Sequence, residues 1–435
     1  MPGRARRPPD RRRAHHLRLR ASRRLSPRRP ERADRARARR SRRGSRAAAP
    51  PAREAAPAAA GDLAVAGGRR RREAARARLE AGDPARAARR DRAARALPGR
   101  RVAVQRSARV PVSVVVTACA DSPALRACLE TVSQQAAELG GEVLLVVNGA
   151  PSALAGAAAS ELAKRCDRIV FEPRVGKSHA LNRAVDEAAG DVIAFTDDDA
   201  LPQPGWLRAL GAPLLAPDRP AALAGCGGPV QPVYPPGAPD WYRPLVERRR
   251  TSFLGPRHDL GPQPLDYSLD PADQTAAPLG ANCAYRREAF AAHRYDPALG
   301  PNRTTRMRGG EDTLLGKQLL RAGMRLRYCP DAVVRHPVEP SRATLAYVLQ
   351  GHFYQGIELV RIQRALAERH PGAYETLRKI VSLRRRIRKK LRKGDLDDVR
   401  ELRIRLAYHC GLAHELAPAF VHRAFGIAPP AAAED

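Results

Sequence analysis

A short apolar run, Val192-Ile-Ala-Phe-Thr196, passes without a break into three carboxylates, Asp197, Asp198 and Asp199. Few architectures accept that pattern. A run of β-branched and aromatic side chains entered from Gly190 reads as a strand buried on both faces, and such strands belong to parallel sheets covered by helices. Acids gathered at a strand's carboxyl end repel one another unless something positive neutralises them, and a hard divalent cation with oxygen ligands meets that need. Taken alone, the triplet reads as readily as a solvated acidic turn.

Neighbouring segments repeat the strand–helix alternation. Pro111-Val-Ser-Val-Val-Val116 is a second buried strand. Ser122 and Pro123 are an N-cap and a first-position proline for a helix whose apolar residues (Leu125, Cys128, Leu129, Val132, Ala136, Leu139) recur at helical spacing. Gly140-Gly141 stops it, and Val143-Leu-Leu-Val-Val147 follows as a strand. A helix is predicted over about 152–165, a strand at Arg168-Ile-Val-Phe171, and a helix over about 178–189 ended by Gly190. Alternation of this kind predicts an α/β fold with a mainly parallel central sheet and ligands beyond the carboxyl ends of its strands. Three strand ends then converge: Thr117-Ala118-Cys119, Asn148-Gly149 and Asp197–Asp199. No Gly-x-Gly-x-x-Gly follows the first strand and no Walker lysine motif is present, so neither a dinucleotide fold nor a P-loop is expected.

Charge is distributed unevenly. The chain has 435 residues and a formal net charge of +34. Residues 1–110 hold 36 basic and 9 acidic residues, 111–376 hold 29 of each, and 377–435 hold 14 and 7. The middle is therefore an ordinary neutral composition. Residues 1–108 are Arg, Ala and Pro with few large apolar side chains, too few to offset chain entropy, and are expected to be mostly disordered. Such a tail could bind nucleic acid or an anionic surface, be an inert extension, or be translated upstream sequence, since GC-rich DNA encodes these residues. No aromatic residues interleave its arginines, so a nucleic-acid partner is not expected. The seven cysteines are scattered without metal-site spacing, which fits a reducing cytoplasm. No apolar run approaches the roughly 18–20 residues that span a bilayer, and the amino terminus lacks a secretory apolar segment.

Further candidates lie downstream. Lys177, at the start of the helix before the acidic strand, suits a donor phosphate or is simply solvated. Gly280-Ala-Asn282 is a glycine turn feeding a short strand. Gly309-Gly310-Glu311-Asp312 opens a helix that ends at Gly323; its acids read as dipole-favoured capping or as a loop that brings a base to substrate. Asp331-Ala-Val-Val-Arg-His336 ends an apolar segment in a histidine, a metal ligand or a structural residue. Between about 225 and 278 the Pro- and Gly-rich stretch holds Trp241, Tyr242 and Tyr267, which suit either sugar faces or loop packing. Beyond 340 the chain is expected to be helical to about 426, with a disordered end at 427–435. Residues 378–393 hold ten basic and no acidic residues, with Ile380, Val381, Leu383, Ile387 and Leu391 as an apolar component. That segment fits the anionic inner face of a membrane or a solvated helix of a terminal bundle.

The order of these pieces, FTDDDALPQPGWL (195–207), GGEDTLLGKQLLRAG (309–323) and PDAVVRH (330–336), after VVNG (146–149) and GKSHALNRA (176–184), resembles the family 2 glycosyltransferases of GT-A (nucleotide-diphospho-sugar transferase) fold. The resemblance covers about 110–340 and implies a catalytic domain at 109–340. It implies a Mg²⁺ or Mn²⁺ cofactor held by Asp197, Asp199 and His336, and Asp312 as the catalytic base. Thr117, Asn148, Lys177, Asp198, Gly280, Asn282 and Glu311 would bind the donor or acceptor. The implied activity is inverting transfer of a hexosyl unit from a nucleotide sugar to a carbohydrate or lipid-linked acceptor, in cell-surface polysaccharide or glycolipid synthesis, in the cytoplasm or peripherally at the membrane's inner face. The family usually carries Asp where this chain has Val147, a departure that leaves the nucleotide preference open. The rival is a basic nucleic-acid- or membrane-binding protein with a degenerate nucleotide-sugar-binding core.

Overall fold

A computed structural model describes residues 110–149, 157–249, 253–270 and 277–418. The tail expected at 1–108, the first turn of the helix predicted from 152, and the end expected at 427–435 lie outside the described residues.

The predicted alternation is present. In chain order the structure runs β1 (Val112–Ala118), α1 (Pro123–Glu138), β2 (Glu142–Asn148), α2 (Ala157–Ala163), β3 (Arg168–Glu172), α3 (Lys177–Glu187), β4 (Val192–Asp197) and β5 (Leu201–Pro202). It continues through α4 (Trp206–Leu215), β6 (Leu223–Gly227), β7 (Val230–Val233), α5 (Tyr242–Arg249), β8 (Leu265–Asp266) and β9 (Cys283–Arg286). Then come α6 (Glu311–Arg321), β10 (Arg325–Tyr328), β11 (Val334–Pro337), α7 (Leu345–Ala365), α8 (Ala373–Leu391) and α9 (Leu396–Leu416). Ser122 caps α1 as expected, its hydroxyl accepting from the Leu125 N–H at 3.0 Å. At the other end Gly140 turns through φ +63° and the Gly141 N–H closes back on Ala136.

Eight strands form one sheet in the order β3-β2-β1-β4-β9-β6-β10-β8. The first four are mutually parallel; β9 runs antiparallel between β4 and β6, and β8 antiparallel to β10. Six strands share a direction, so the sheet is mixed but mainly parallel. Alternate side chains of β1 divide the core in two. Val112, Val114 and Val116 pack with Leu125, Leu129, Trp206 and Leu210, whereas Val115 packs with Leu181, Ile193, Phe195 and Leu315 on the opposite face. This double cover explains why the strands read as continuous apolar runs. It is a mixed α/β architecture built on one large, mainly parallel sheet, as the alternation predicts.

Tyr242 and Tyr267 are buried packing residues: the Tyr242 hydroxyl donates to the Leu254 carbonyl, and the Tyr267 ring stacks on His258 with centroids 5.7 Å apart. The boundary drawn at 340 does not separate two cores, because Leu299, Met307 and Leu314 share one apolar cluster with Phe353, Tyr354 and Ile357 of α7.

Candidate active site

Register brings the strand ends together. β1 and β4 pair so that Thr117 lies beside Asp197, and this is where the strand order turns away from β2 on one side and towards β9 on the other. A cleft of about 1330 Å³ opens there, lined by Thr117, Asn148, Lys177, Asp197, Asp198, Asp199, Gly280, Glu311, Asp312 and His336. Of the site residues implied by the resemblance, all but Asn282 line it.

The acidic end is compact. His336 comes from β11, which pairs with β5 immediately after the triplet and so returns to the mouth of β4. Its Nε2 lies 3.1 Å from Asp199 Oδ1 and 3.6 Å from Asp197 Oδ2, while its Nδ1–H donates to the Pro337 carbonyl at 2.9 Å. One ligand atom each from Asp197, Asp199 and His336 lies within 4.8 Å of the others. The backbone contact orients the ring so that Nε2 is the free ligand, as supporting shells do at metal sites. Two carboxylate oxygens and one imidazole nitrogen suit Mn²⁺ or Mg²⁺.

The local electrostatics fit a cation. Burial would push the His336 imidazole down, but hydrogen bonds to Asp197 and Asp199 hold it up at about 10. Burial would likewise push the Asp197 carboxyl up, yet Lys177, ion-paired with it, and His336 hold it well below the usual range. Asp198 has no such partner; burial and the charges of Asp199 and Asp197 push it up to about 7. Three crowded acids therefore lean on two protein cations, which is the charge a divalent ion would supply.

Lys177 is delivered by a clamp. The Asn148 amide donates to the carbonyls of Arg174 (2.7 Å) and Glu172 (3.3 Å), and its oxygen accepts from the Gly176 N–H at 2.9 Å. Gly176 sits at φ +131°, where an added Cβ would come within 2.7 Å of Asn302. Asn148 thus lines the cleft but spends its polar atoms on the loop. Val147, just before it, is fully buried and packs with Val143 and Leu145 on the α1 face, offering the cleft no polar atom.

Opposite the triplet, Gly310 (φ +92°) turns the chain into α6. Asp312 accepts from the Gly280 N–H through Oδ2 (2.9 Å) and from the Thr313 N–H through Oδ1 (2.6 Å). The glycine turn at 280 therefore holds a carboxylate. Glu311 beside it is buried, and its Oε2 has no hydrogen-bond partner. Burial, then the Asp312 charge, pushes Glu311 up to about 8.

Asn282 is the correction. It is fully buried behind the cleft: Oδ1 accepts from the Trp206 indole at 2.8 Å, and Nδ2 donates to the carbonyls of Pro229 (2.9 Å) and Ala332 (2.6 Å). It ties β9 to α4 and to the segment leading into His336. Sequence reasoning also missed Arg308, Tyr347 and Gln350, which line the cleft, and Glu358, which accepts the Arg308 N–H at 3.2 Å. Three of these four sit on α7, past the expected domain end, and Arg308 is one of 79 basic residues with no pattern to mark it.

Comparison with known proteins places these residues in context. The family model described as "Glycosyltransferase like family 2" matches residues 108–353. The succinoglycan biosynthesis protein ExoM of Rhizobium meliloti (strain 1021) is 30% identical over 186 residues, 42% of this chain and 52% of its own length. The chain thus spans about half the length of that curated relative. A mannosyltransferase from Pyrobaculum calidifontis, solved with GDP-Man and Mn²⁺, aligns at a TM-score of 0.40 and 17% identity, covering 74% of this chain and 78% of that one. Glucosyl-3-phosphoglycerate synthase from Mycobacterium tuberculosis, solved with Mn²⁺, UDP and phosphoglyceric acid, aligns at 0.35 and 18%, covering 57% and 78%.

Proposed function

Since the chain belongs to glycosyltransferase-like family 2, we propose that it transfers a sugar from a nucleotide-sugar donor to an acceptor hydroxyl, with inversion at the anomeric carbon. One observation carries this reading: a cation-ready Asp197–Asp199–His336 cluster and an oriented Asp312 share a single cleft. Asp197, Asp199 and His336 would hold Mn²⁺ or Mg²⁺, which when bound stabilises the charge growing on the departing diphosphate. Lys177 adds a fixed positive charge beside Asp197. The acceptor oxygen attacks the anomeric carbon, the bond to the diphosphate breaks with its electron pair, and the acceptor proton passes to Asp312. Two backbone N–H groups fix the Asp312 carboxylate, so it meets the acceptor in one orientation. Glu311, carrying its proton near neutrality, leaves Asp312 without a charged neighbour to repel.

The acceptor class we infer is a cell-surface polysaccharide or a lipid-linked precursor, and the sugar a hexose; a relative named for succinoglycan biosynthesis supports the setting. Among the described residues no helix is long and apolar enough to cross a membrane. Membrane contact would instead use α8, and by charge. Ile380 and Leu383 are buried, while Arg384, Arg385, Arg386, Arg388 and Lys389 are exposed.

The test of donor binding is thermal unfolding of the full chain with UDP-, GDP- and dTDP-sugars, each with Mn²⁺, Mg²⁺ or chelator. One nucleotide is expected to raise Tm only with metal, by an amount equivalent to about 2.7 kcal/mol at a hundredfold excess over Kd, and not in Asp199→Ala. A shift that survives in Asp199→Ala or in chelator would refute the assigned metal site.

A further inference from the structure

The cleft has a second charged end that the transfer reaction described above does not use. Arg306 and Arg308 enter it from the segment before Gly309-Gly310, and Arg342 enters from the 3₁₀ turn Pro340–Ala343 before α7. Elsewhere on this chain arginines near a carboxylate generally take it: Arg168 pairs with Glu187, Arg325 with Asp266, Arg364 with Glu415. Among the described residues neither Arg308 nor Arg342 makes an ion pair, although both are half-buried. A partly desolvated guanidinium without an ion-pair partner is costly, and the negative charge of a ligand would offset that cost.

Arg308 is also built into place. Its guanidinium lies 4.3 Å from the centroid of the Tyr347 ring and donates to Gln350 Oε1, and its Nε is buried without a hydrogen-bond partner. Its backbone N–H is held by Glu358. Two side chains and a buried carboxylate of α7 therefore fix a cation whose position lies three residues before Glu311.

A donor diphosphate belongs at Asp197–Asp199, Lys177 and the ends of β1 and β4. Arg308 instead lies four residues before Asp312 and is held by Tyr347 and Gln350 of α7, and Arg342 lies in the turn that enters α7. Guanidinium groups meet phosphate oxygens through charge-assisted, often bidentate hydrogen bonds.

We propose that Arg308 and Arg342, with Arg306, form an anion subsite for a phosphate or diphosphate group carried by the acceptor. The proposal rests on the glycosyltransferase reading and specifies its second substrate. An acceptor of this class reaches the enzyme from a reaction that has already phosphorylated its reducing end. That group has two sources, a soluble sugar phosphate or a sugar on a polyisoprenyl diphosphate, and the two place the same oxygens in the subsite.

Inorganic pyrophosphate is the first probe, titrated calorimetrically into the full chain in chelator so that no metal recruits it to the donor end. Binding is expected in the wild type and within about twofold in Asp199→Ala. It should weaken at least tenfold in Arg308→Gln and in Arg342→Gln, roughly 1.4 kcal/mol or more. Arg342→Gln guards against a folding defect, because Arg342 is only half-buried in a short 3₁₀ turn and its variant should unfold at the wild-type temperature. Metal-dependent nucleotide stabilisation should persist in both arginine variants, which keeps failure of this subsite distinct from failure of the donor site. Displacement of pyrophosphate by glucose 1-phosphate would identify the soluble source, and displacement only by a short-chain polyisoprenyl diphosphate the lipid source. Absence of pyrophosphate binding, binding unaltered in both arginine variants, or displacement by neither compound would overturn the proposal.

Discussion

Burial pushes the Glu311 carboxyl up to about 8, while Asp312, next in the chain, accepts two backbone N–H groups at the cleft wall. The pair divides what two identical carboxylates could not both do, since one must stay neutral for the other to act as a base. Asp312→Asn is expected to lower kcat by about 10²–10⁴ with little change in Tm. Glu311→Gln, an isostere of the protonated acid, should stay within about tenfold of wild type at pH 7; steady-state rates of the two variants check this, and equal losses would contradict it. Asn282 makes the opposite kind of prediction. Asn282→Ala removes three buried hydrogen bonds and leaves the Trp206 indole without its acceptor, so a loss of about 3 kcal/mol is expected in denaturant unfolding, with nucleotide affinity of the folded fraction unchanged. Sequence reading found the acids because their chemistry is local. It misplaced Asn282 because a glycine turn before a strand does not record which way the next side chain points.

The helix α7 does more than close the fold. Glu358 holds the backbone at Arg308, and Tyr347 and Gln350 hold its side chain, so one helix positions the loop that carries the proposed base. Burial pushes Glu358 from the usual 4.5 up to about 7. Between those values the folded chain keeps a proton that the unfolded chain has released, so this residue's contribution to stability is complete below about pH 4.5 and is lost as pH rises through about 7. Tm measured from pH 5 to 8 should fall less steeply in Glu358→Gln than in wild type; parallel curves would show that Glu358 does not titrate in this range. A close fit holds α7 in turn, since a Cβ on Gly411 of α9 would lie 1.8 Å from the Phe353 carbonyl oxygen. Elements such as β1, β2 and β4 were legible because both their faces are buried and most of their residues are apolar. The pairing of β9 between β4 and β6 was not, since four residues carry no signal of direction.

For the whole molecule, the shared cluster of Leu299, Met307 and Leu314 with Phe353, Tyr354 and Ile357 predicts that a chain ending at 340 exposes an apolar face. Such a chain should be largely insoluble, whereas one ending at 418 should unfold cooperatively; soluble yield and thermal denaturation decide. The basic face of α8 predicts sedimentation with anionic but not neutral vesicles, at about 1 kcal/mol per basic residue near the surface. Binding should fall sharply at 0.5 M salt and in Arg385→Glu/Lys389→Glu, and salt-insensitive binding would instead point to apolar insertion. By itself the sequence determined the α/β class, the strand ends that meet, and the acids and histidine able to hold a cation, because burial periodicity and metal chemistry are written in residue type and local spacing. Only the tertiary structure decided that α7 lines the cleft, that Asn282 lies behind it, and that Arg308 and Arg342 share that cleft without an ion pair among the described residues. Those facts depend on which distant segments share a wall of the cleft, and contacts between residues 42 or 76 apart, such as Arg308 with Gln350 or Asn282 with Trp206, leave no periodic trace in the chain.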